Sequence, residues 1–464
     1  MNHYLFTRRH PEFAANEYRW RRARDAYSGG RNYIEQALIR HVSEIELEFS
    51  ERRRRAYYFN YPRAIAQRIT QYTLGIDPVR RNAALDLVED WSRTGLRANE
   101  VMRQLSTMLN VYGRAWLQVE MPCFEGMPSV DQARQERLRP YVRALSPFQV
   151  VDWAYGSDGR LLWALLAEEE YCAADPFRPP VKIRRRRLYD RNSWRLFENT
   201  PGGTAEVASG VNPTGCVPLI PVTEPDGFGI NANHWFEDVV RISEAILNNE
   251  SEAQMNTVKQ MFGMLVVSET FANGAQKLAG LSEKGDTFAS TVARSAAIIE
   301  SVEEKGISRF ISPSGVETNI IREENRHLKR ELYDVVGLAV QSNSRENQSA
   351  ESKAWDFQNV SQFLAARADL LEQAELEAWK LMRRYDLDIP LPELHYNRKF
   401  AVRDLASGIA GLLQLSTLSD NAAYRRAVER AAVELLDAVE PVGKQTKQHI
   451  IDQINIEEKS DKCN

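Results

Sequence analysis

Residue types that carry catalysis or bind metals are scattered along this chain rather than grouped. The seven histidines lie far apart, with no H-E-x-x-H motif and no carboxylate at metal-ligand spacing, so each is interpreted as structural. The four cysteines form no C-x-x-C pair, a pattern typical of a reducing compartment without disulfides or a zinc site. We expect no metal and no cofactor.

Nucleotide-binding and nucleophile motifs are missing as well. The sequence contains no G-x-x-x-x-G-K-[ST] loop, and the glycines of 226–229 are interpreted as part of a turn. Ser157 lies in Gly-Ser-Asp-Gly, which is not the G-x-S-x-G elbow, and Ser349 and Ser352 do not form S-x-x-K with Lys353. We therefore expect a protein that is not an enzyme.

Length and charge narrow the class further. The 464 residues are 43% hydrophobic and 27% charged, which is enough apolar material for about three folding units. The chain has 60 Lys and Arg residues and 64 Asp and Glu residues, for a net charge of -4. A surface that binds nucleic acid tightly is therefore not expected. No apolar run approaches the roughly 18 residues of a membrane helix, and no apolar leader opens the chain, which predicts a soluble, cytosol-made protein.

Two arginine runs, 52–55 and 184–187, could contact phosphates. Each run lies beside acidic residues or on a helix face or strand edge. Solvated faces or salt bridges between subunits are favoured over phosphate binding.

The hydrophobic pattern predicts helices in the first part of the chain and strands in the next. Helices are predicted over 16–26, 52–74, 83–91 and 99–109, and a half-buried strand over 115–120. Further strands are predicted over 141–145, 150–154, 161–168, 182–189 and 193–197, each bounded by turn residues. A Pro- and Gly-dense connection over 201–229 then suggests a domain boundary near 230.

A long helix is predicted from about residue 234, apolar at its start and polar at its end. Segment 248–254 has no apolar stripe, so this half is predicted to be in water all round. The helix also leans negative, with five acids against two bases over 236–262. The acids are Glu237, Asp238, Glu244, Glu250 and Glu252, and the bases are Arg241 and Lys259.

Elements after this helix alternate between sheet and helix. Short strands are predicted over 264–267, 297–300 and 307–311, followed by a helix over 322–340, a polar loop over 341–349 and a helix over 351–386. A strand over 394–402 and helices over 405–456, broken at 441–443, complete the prediction. The fold class is α+β and mainly helical.

The order of these elements and several local phrases resemble the portal proteins of tailed bacteriophages, which form a ring at the unique vertex of the capsid. The phrases are RRRRAYYFNYPRAIAQRITQYTLG at 52–75, the segment 95–113 ending in Val-Tyr-Gly, YVRALSPFQVVDW at 141–153, CVPLIP at 216–221 and QSAES at 348–352. The resemblance spans nearly the whole chain and implies a portal-type fold assembled as a ring.

By position, the resemblance implies seven regions. They are a wing at 1–234, a first stem helix at 235–262, a clip at 263–320, a second stem helix at 321–340, a tunnel loop at 341–350, a long wing helix with a returning strand at 351–404, and a helical crown with a disordered tail at 405–464.

The implied function is a passive conduit for double-stranded DNA during packaging and ejection. The implied assembly is a homo-oligomer, a dodecamer, located in the virion after formation in the host cytoplasm. Its implied partners are the terminase large subunit, the major capsid protein and tail adaptor proteins, with no membrane contact. DNA would pass through without sequence specificity, pushed by ATP hydrolysis in the terminase.

Two groups of residues are placed beside DNA by this resemblance. On the first stem helix they are Glu250, Glu252 and Lys259, where acids would avoid the tight phosphate contacts that stall sliding. The tunnel loop supplies Ser342, Asn343, Ser344, Arg345, Glu346, Asn347 and Gln348. Arg345 and Glu346 would touch the duplex and limit backflow.

Two other functions stay open at the level of sequence. One is a head-completion or scaffold protein that forms no DNA channel. The other is a DNA-processing enzyme with a non-contiguous site, which predicts clustered acids with shifted pKa values in one pocket.

Overall fold

The computed structural model describes residues 4–122, 138–172, 177, 179–200, 203–224, 234–261, 264–268, 297–300, 309–311, 315–335, 350–398, 400, 414, 421–439, 450 and 453. Residues 1–398 form one compact unit and residues 399–464 a second. Helices and sheets are mixed, so the predicted α+β character is confirmed.

In sequence order, the described helices of the first unit lie before β2 (Arg114–Glu120) and after β9 (Leu219–Thr223). They are α1 (Tyr4–Thr7), α2 (Pro11–Ser28), α3 (Arg31–Ala37), α4 (Glu46–Arg55), α5 (Tyr61–Thr73), α6 (Leu85–Glu89), α7 (Ala98–Tyr112), α8 (Trp235–Met261), α9 (Val316–Val335) and α10 (Ala350–Tyr385). The second unit contains α11 (Ala422–Val439).

The strands lie mostly between α7 and α8. They are β1 (Val79–Arg81), β2 (Arg114–Glu120), β3 (Tyr141–Leu145), β4 (Val150–Tyr155), β5 (Leu161–Cys172), β6 (Val181–Asp190), β7 (Ser193–Thr200), β8 (Gly203–Val211), β9 (Leu219–Thr223), β10 (Met264–Ser268), β11 (Ala297–Glu300), β12 (Arg309–Ile311) and β13 (Glu393–His395). Strands β4 to β8 form an antiparallel meander, and β2 lies between β3 and β9 in a second antiparallel sheet.

Strand β2 is the centre of the main core. The sequence predicts a half-buried strand here, but all seven residues of β2 are buried. One face, which carries Trp116, packs on the β4–β8 meander, and helices α7 and α10 contact the strand as well. The polar residues of that face are buried because they have partners: Gln118 Nε2 donates to Glu120 Oε1 at 2.8 Å, and Tyr141 Oη donates to Glu120 Oε2 at 2.6 Å.

The five strands predicted over 141–197 are all confirmed, whereas β8 and β9 lie in the Pro- and Gly-dense connection, where the sequence predicts no strand. Strand β8 exposes most of its side chains, so it has no clear alternation of apolar residues. Its pairing with β7, from Thr200 opposite Gly203 to Ser193 opposite Val211, makes it a strand. Tertiary pairing therefore overrides a weak local pattern.

The predicted helix over 52–74 is two helices. Helix α4 ends at Arg55, and α5 begins after the cap residue Asn60, with Pro62 in its first turn. Proline suits the first turn because it has no N–H to satisfy, but the residue before it is disfavoured in helical conformation. Asn60 Oδ1 accepts from Arg63 N at 2.9 Å, and Asn60 Nδ2 donates to Tyr27 O at 2.8 Å.

Replacing Asn60 with Ala is expected to lower the free energy of unfolding by about 1–2 kcal/mol, because the α5 cap and the bond to α2 are both lost. Asn60→Asp keeps the accepting oxygen of the cap and is expected to lose less. Urea unfolding followed by circular dichroism measures both. Equal losses in the two variants would contradict a capping role.

The arginine runs agree in part with the predicted solvated faces, because Arg54, Arg55 and Arg184 are exposed, whereas other members form ion pairs within the chain. In the first run, Arg52 is buried and its Nη2 lies 2.7 Å from Glu44 Oε2. In the second, Arg185 and Arg187 of β6 pair with Glu170 and Glu168 of the adjacent strand β5. Strand pairing creates these contacts, because it places a run of glutamates beside a run of arginines.

Helix α10 is anchored by the apolar stripe that the sequence predicts. Its bounds, Ala350–Tyr385, agree with the predicted 351–386, and it ends before Pro390. The buried members of the stripe among the described side chains are Val360, Leu364, Ala368, Leu371, Ala374, Ala378 and Leu381. The returning strand is shorter than predicted: β13 pairs with β1 over three residues, and residues 396–398 and 400 are not in a strand, while 399, 401 and 402 lie outside the described residues.

Candidate functional site

The helix pair α8 and α9 is the candidate functional site, because the resemblance places the DNA path along these two helices. Helix α8 has 27 residues and is about 40 Å long. Strands β10, β11 and β12 form a small sheet in the segment between α8 and α9, in which β10 is central. The strands predicted over 264–267 and 297–300 are confirmed, and the third is observed as Arg309–Ile311.

Helix α8 starts on a partly buried ionic cluster. His234 Nε2 lies 3.0 Å from Glu224 Oε1, and the buried guanidinium of Arg367, on α10, pairs with the same carboxylate. Burial would raise the pKa of Glu224, but the charge of Arg367 and the hydrogen bond from His234 hold this pKa below its usual value. The cluster joins the chain before α8 to the long helix α10.

Gly113 makes a close approach to this cluster. It caps the C-terminus of α7 in the left-handed region, with φ +70°, and a Cβ placed there would lie 2.8 Å from His234 Cδ2. Gly95 also has a positive φ, +87°, but has no neighbouring atom within 4 Å of such a Cβ. A comparison of alanine variants at these two glycines therefore separates the effect of backbone strain from that of a steric clash.

Gly113→Ala is expected to destabilise the protein more than Gly95→Ala, by about 1–3 kcal/mol. Both variants force alanine into the left-handed region, but only the first pushes against His234. Denaturant midpoints at a common slope measure the difference. Equal losses of stability in the two variants would mean that Gly113 is not tightly packed against His234.

The first half of α8 is held by the N-terminal helices. Arg19 Nε of α2 donates to Glu237 Oε2 at 2.9 Å, and Tyr33 Oη of α3 donates to Glu244 Oε1 at 3.0 Å. Arg22 also pairs with Glu244. Burial opposes ionisation of Glu237, yet Arg19 and Arg241 lower its pKa. Two of the five acids that make α8 lean negative in sequence are thus neutralised inside the molecule.

The second half of α8 is not in water all round, contrary to the sequence prediction. Ser251 and Ala253 are buried, and helix α4 packs on this part of α8. Arg52 Nη1 of α4 donates to Ser251 Oγ at 3.0 Å. Small residues at 251 and 253 allow close helix packing without an apolar stripe, so the sequence pattern does not reveal the contact.

Helix α9 packs on α8 through a polar seam. Asn249 Nδ2 donates to Asn325 Oδ1 at 3.0 Å, and Gln260 Nε2 donates to Thr318 Oγ1 at 3.3 Å, so the helices run antiparallel. Only Thr318, Asn325 and Leu332 are buried among the 20 residues of α9. Their spacing of seven residues is the signal from which the seam could have been found. The observed helix begins at Val316, six residues before the predicted start.

The predicted stem residues do not share one face. Glu250 and Glu252 are separated by about 200° around the helix. Glu250 Oε1 lies 3.5 Å from Lys329 Nζ on α9, whereas Glu252 is exposed and lines a groove beside α4. Lys259 Nζ lies 3.1 Å from Glu48 Oε1 of α4. Glu252 alone of the three forms no ion pair with the described residues.

Asp238 is a candidate site residue that the sequence does not distinguish from the other acids of α8. It is exposed and, like Glu252, forms no ion pair within the described segments. The two acids are 14 residues apart on α8, which places them about 40° apart around the axis and about 21 Å apart along it. We call Asp238 and Glu252 the uncompensated face of α8. This face can be identified only when the ion-pair partners of the other acids on α8 are known.

The predicted tunnel-loop residues, Ser342 to Gln348, lie outside the described residues, as do much of the predicted clip and most of the predicted crown. Across the described segments, no group of three or more His, Cys, Asp or Glu could hold a metal ion. No helix that the structure describes is long and apolar enough to span a bilayer.

Comparison with known proteins gives similarity at the level of solved structures. No family model and no curated protein matches the chain. A chain from the neck of an empty GTA particle, computed with C6 symmetry, is 12% identical over 85% of this chain and 96% of that chain, with a TM-score of 0.42. A chain from the virion of the native gene transfer agent (GTA) particle is 13% identical over 86% and 98%, with a TM-score of 0.44. A chain from the native GTA neck, computed with C12 symmetry, has 12% identity over 86% and 98% and a TM-score of 0.43.

Proposed function

We propose that this chain is a portal-type, head-to-tail structural component of a tailed phage-like particle. In this proposal it assembles into a ring and conducts double-stranded DNA during packaging and ejection. The observation that carries the proposal is the exposure of α9, which buries only Thr318, Asn325 and Leu332 in the single chain. A polar helix of this length, held by one narrow seam, fits a position between other copies and a water-filled channel.

The electrostatics of α8 support a passive role in this channel. Each cation that binds a phosphate adds affinity through counterion release, so a wall of free lysines and arginines would slow a sliding duplex. On α8, Lys259 is paired with Glu48 and Arg241 with Glu237, whereas Asp238 and Glu252 are uncompensated. A ring of such helices repels DNA mildly and leaves it free to move.

The remaining assignments follow the same proposal. The segment that carries β10, β11 and β12 is the clip, on which the terminase and later the tail adaptors dock, and 341–350 is the tunnel loop. The first 234 residues and α10 form the wing that meets the major capsid protein. The chain itself hydrolyses nothing, and the terminase large subunit supplies the ATP-driven force.

Native mass spectrometry with negative-stain imaging of the purified chain tests the proposal. An annular species with a central hole is expected, at about 640 kDa for twelve copies of 53.1 kDa. A closed oligomer without a hole would favour a head-completion or scaffold protein. A monomer or dimer that persists at high concentration would contradict both and would direct attention to nuclease and nucleotide-binding assays.

A further inference from the structure

A second surface, separate from the α8–α9 pair, is a cleft with more basic than acidic side chains. A cleft of about 870 Å³ lies where the N-terminal helices α1 and α2 approach strands β5 and β6. Its lining includes seven lysines or arginines and four glutamates. Phe6, Phe13 and Phe148 contribute apolar wall.

The base of the cleft carries a buried guanidinium without a carboxylate. Arg186 is only 8% exposed, its Nε has no hydrogen-bond partner, and no carboxylate of the described residues forms an ion pair with it. Its Nη1 donates to the backbone carbonyl of Arg185 and its Nη2 to that of Phe6, each at a distance of 3.3 Å. Burial and the neighbouring charges of Arg9 and Arg184 lower the pKa of Arg186 to about 10, although the charge of Glu169 opposes this shift. A buried cation without a counter-charge is costly, whereas Arg185 and Arg187 beside it are both paired.

None of the four glutamates of the cleft forms an ion pair with Arg186, because each is paired with another cation. The pairs are Glu17 with Arg21 at 2.6 Å, Glu168 with Arg187 at 2.8 Å, Glu169 with Lys182 at 2.7 Å and Glu170 with Arg185 at 2.5 Å. At the exposed mouth, Arg9 donates to the backbone carbonyls of Phe6 and Arg8, and Arg184 lies 3.8 Å from the shared Glu169. Arg9 and Arg186 therefore form no ion pair with the described residues, and Arg184 shares Glu169 with Lys182.

We propose that this cleft binds an acidic segment of a partner protein, with one carboxylate side chain reaching Arg186 and others meeting Arg9 and Arg184. A carboxylate matches the planar donors of a guanidinium, and the phenylalanines suit the methylene groups that carry it. A DNA duplex is too broad to bring a phosphate to a side chain that is 8% exposed. This inference does not depend on the proposed conduit, because none of its residues belongs to α8 or α9.

The test uses the full chain and a fluorescein-labelled hexaglutamate peptide, with binding followed by fluorescence anisotropy. Arg186→Met is expected to weaken binding by about tenfold or more. Its melting temperature is expected to equal or exceed that of the wild type, because the change removes a buried uncompensated charge. Arg195→Met is the matched control: Arg195 is an exposed arginine of the neighbouring strand β7 that does not line the cleft, so this variant should keep the affinity.

Three results would overturn the inference. The first is equal peptide affinity in wild type and Arg186→Met, which would place binding elsewhere. The second is a lower melting temperature of Arg186→Met with unchanged affinity, which would make Arg186 a structural residue. The third is displacement of the peptide by a short DNA duplex at lower concentration than by unlabelled hexaglutamate, which would make phosphate the ligand.

Discussion

Replacement of Arg80 with Met is expected to lower the free energy of unfolding of the first unit by about 3–5 kcal/mol. Arg80 Nε and Nη2 donate to the two carboxylate oxygens of Glu375 at 2.6 and 2.9 Å, and the side chains are 6% and 0% exposed. Tyr396 Oη donates to the same carboxylate at 2.5 Å and Trp379 Nε1 at 3.1 Å. The variant leaves a buried carboxylate without its counter-charge, at the point where β1 and β13 meet α10.

Two further variants make this expectation specific. Arg81→Met changes the exposed neighbour in the same strand and should cost less than about 0.5 kcal/mol. Glu375→Gln in the Arg80→Met background removes the unpaired charge but keeps an acceptor for Tyr396, so it should recover more than half of the loss. Urea unfolding at constant slope measures all three. A loss of less than about 1 kcal/mol for Arg80→Met would show that water reaches Glu375 readily.

Glu252→Lys is expected to reduce the DNA protected from nuclease by about tenfold in particles assembled with the variant, while leaving ring assembly intact. This expectation rests on the proposed conduit. Each copy then adds a free cation to the uncompensated face of α8, and the ring multiplies the phosphate contacts. Raising the salt concentration should restore part of the packaging, since screening weakens those contacts.

A charge-matched control separates the channel from the surface in general. Glu206→Lys makes the same change in the exposed strand β8, where Glu206 forms no ion pair with the described residues. This variant should package like the wild type. Glu250→Lys is a poorer test, because it also breaks the pair with Lys329 and can disturb the α8–α9 seam. Unchanged packaging with Glu252→Lys would remove the electrostatic argument for the wall.

Elements with a clear local pattern could be predicted from the amino-acid sequence alone. The strands over 141–197 are each bounded by turn residues, and α10 repeats apolar residues every three or four positions, so the local sequence specifies them. Asn60 and Pro62 also indicate the break between α4 and α5 at 56–60. The helical pattern on both sides of the break nevertheless predicts one continuous helix.

Which charged side chains lack an ion-pair partner depends on the tertiary structure. Glu237 and Glu244 find Arg19 and Arg22 more than 200 residues away, and Asp238 finds no partner among the described residues, although all three acids lie within one short stretch of α8. Arg186 is uncompensated between two paired arginines for the same reason. Ion pairing depends on side-chain distance across packed elements, which composition and periodicity do not contain.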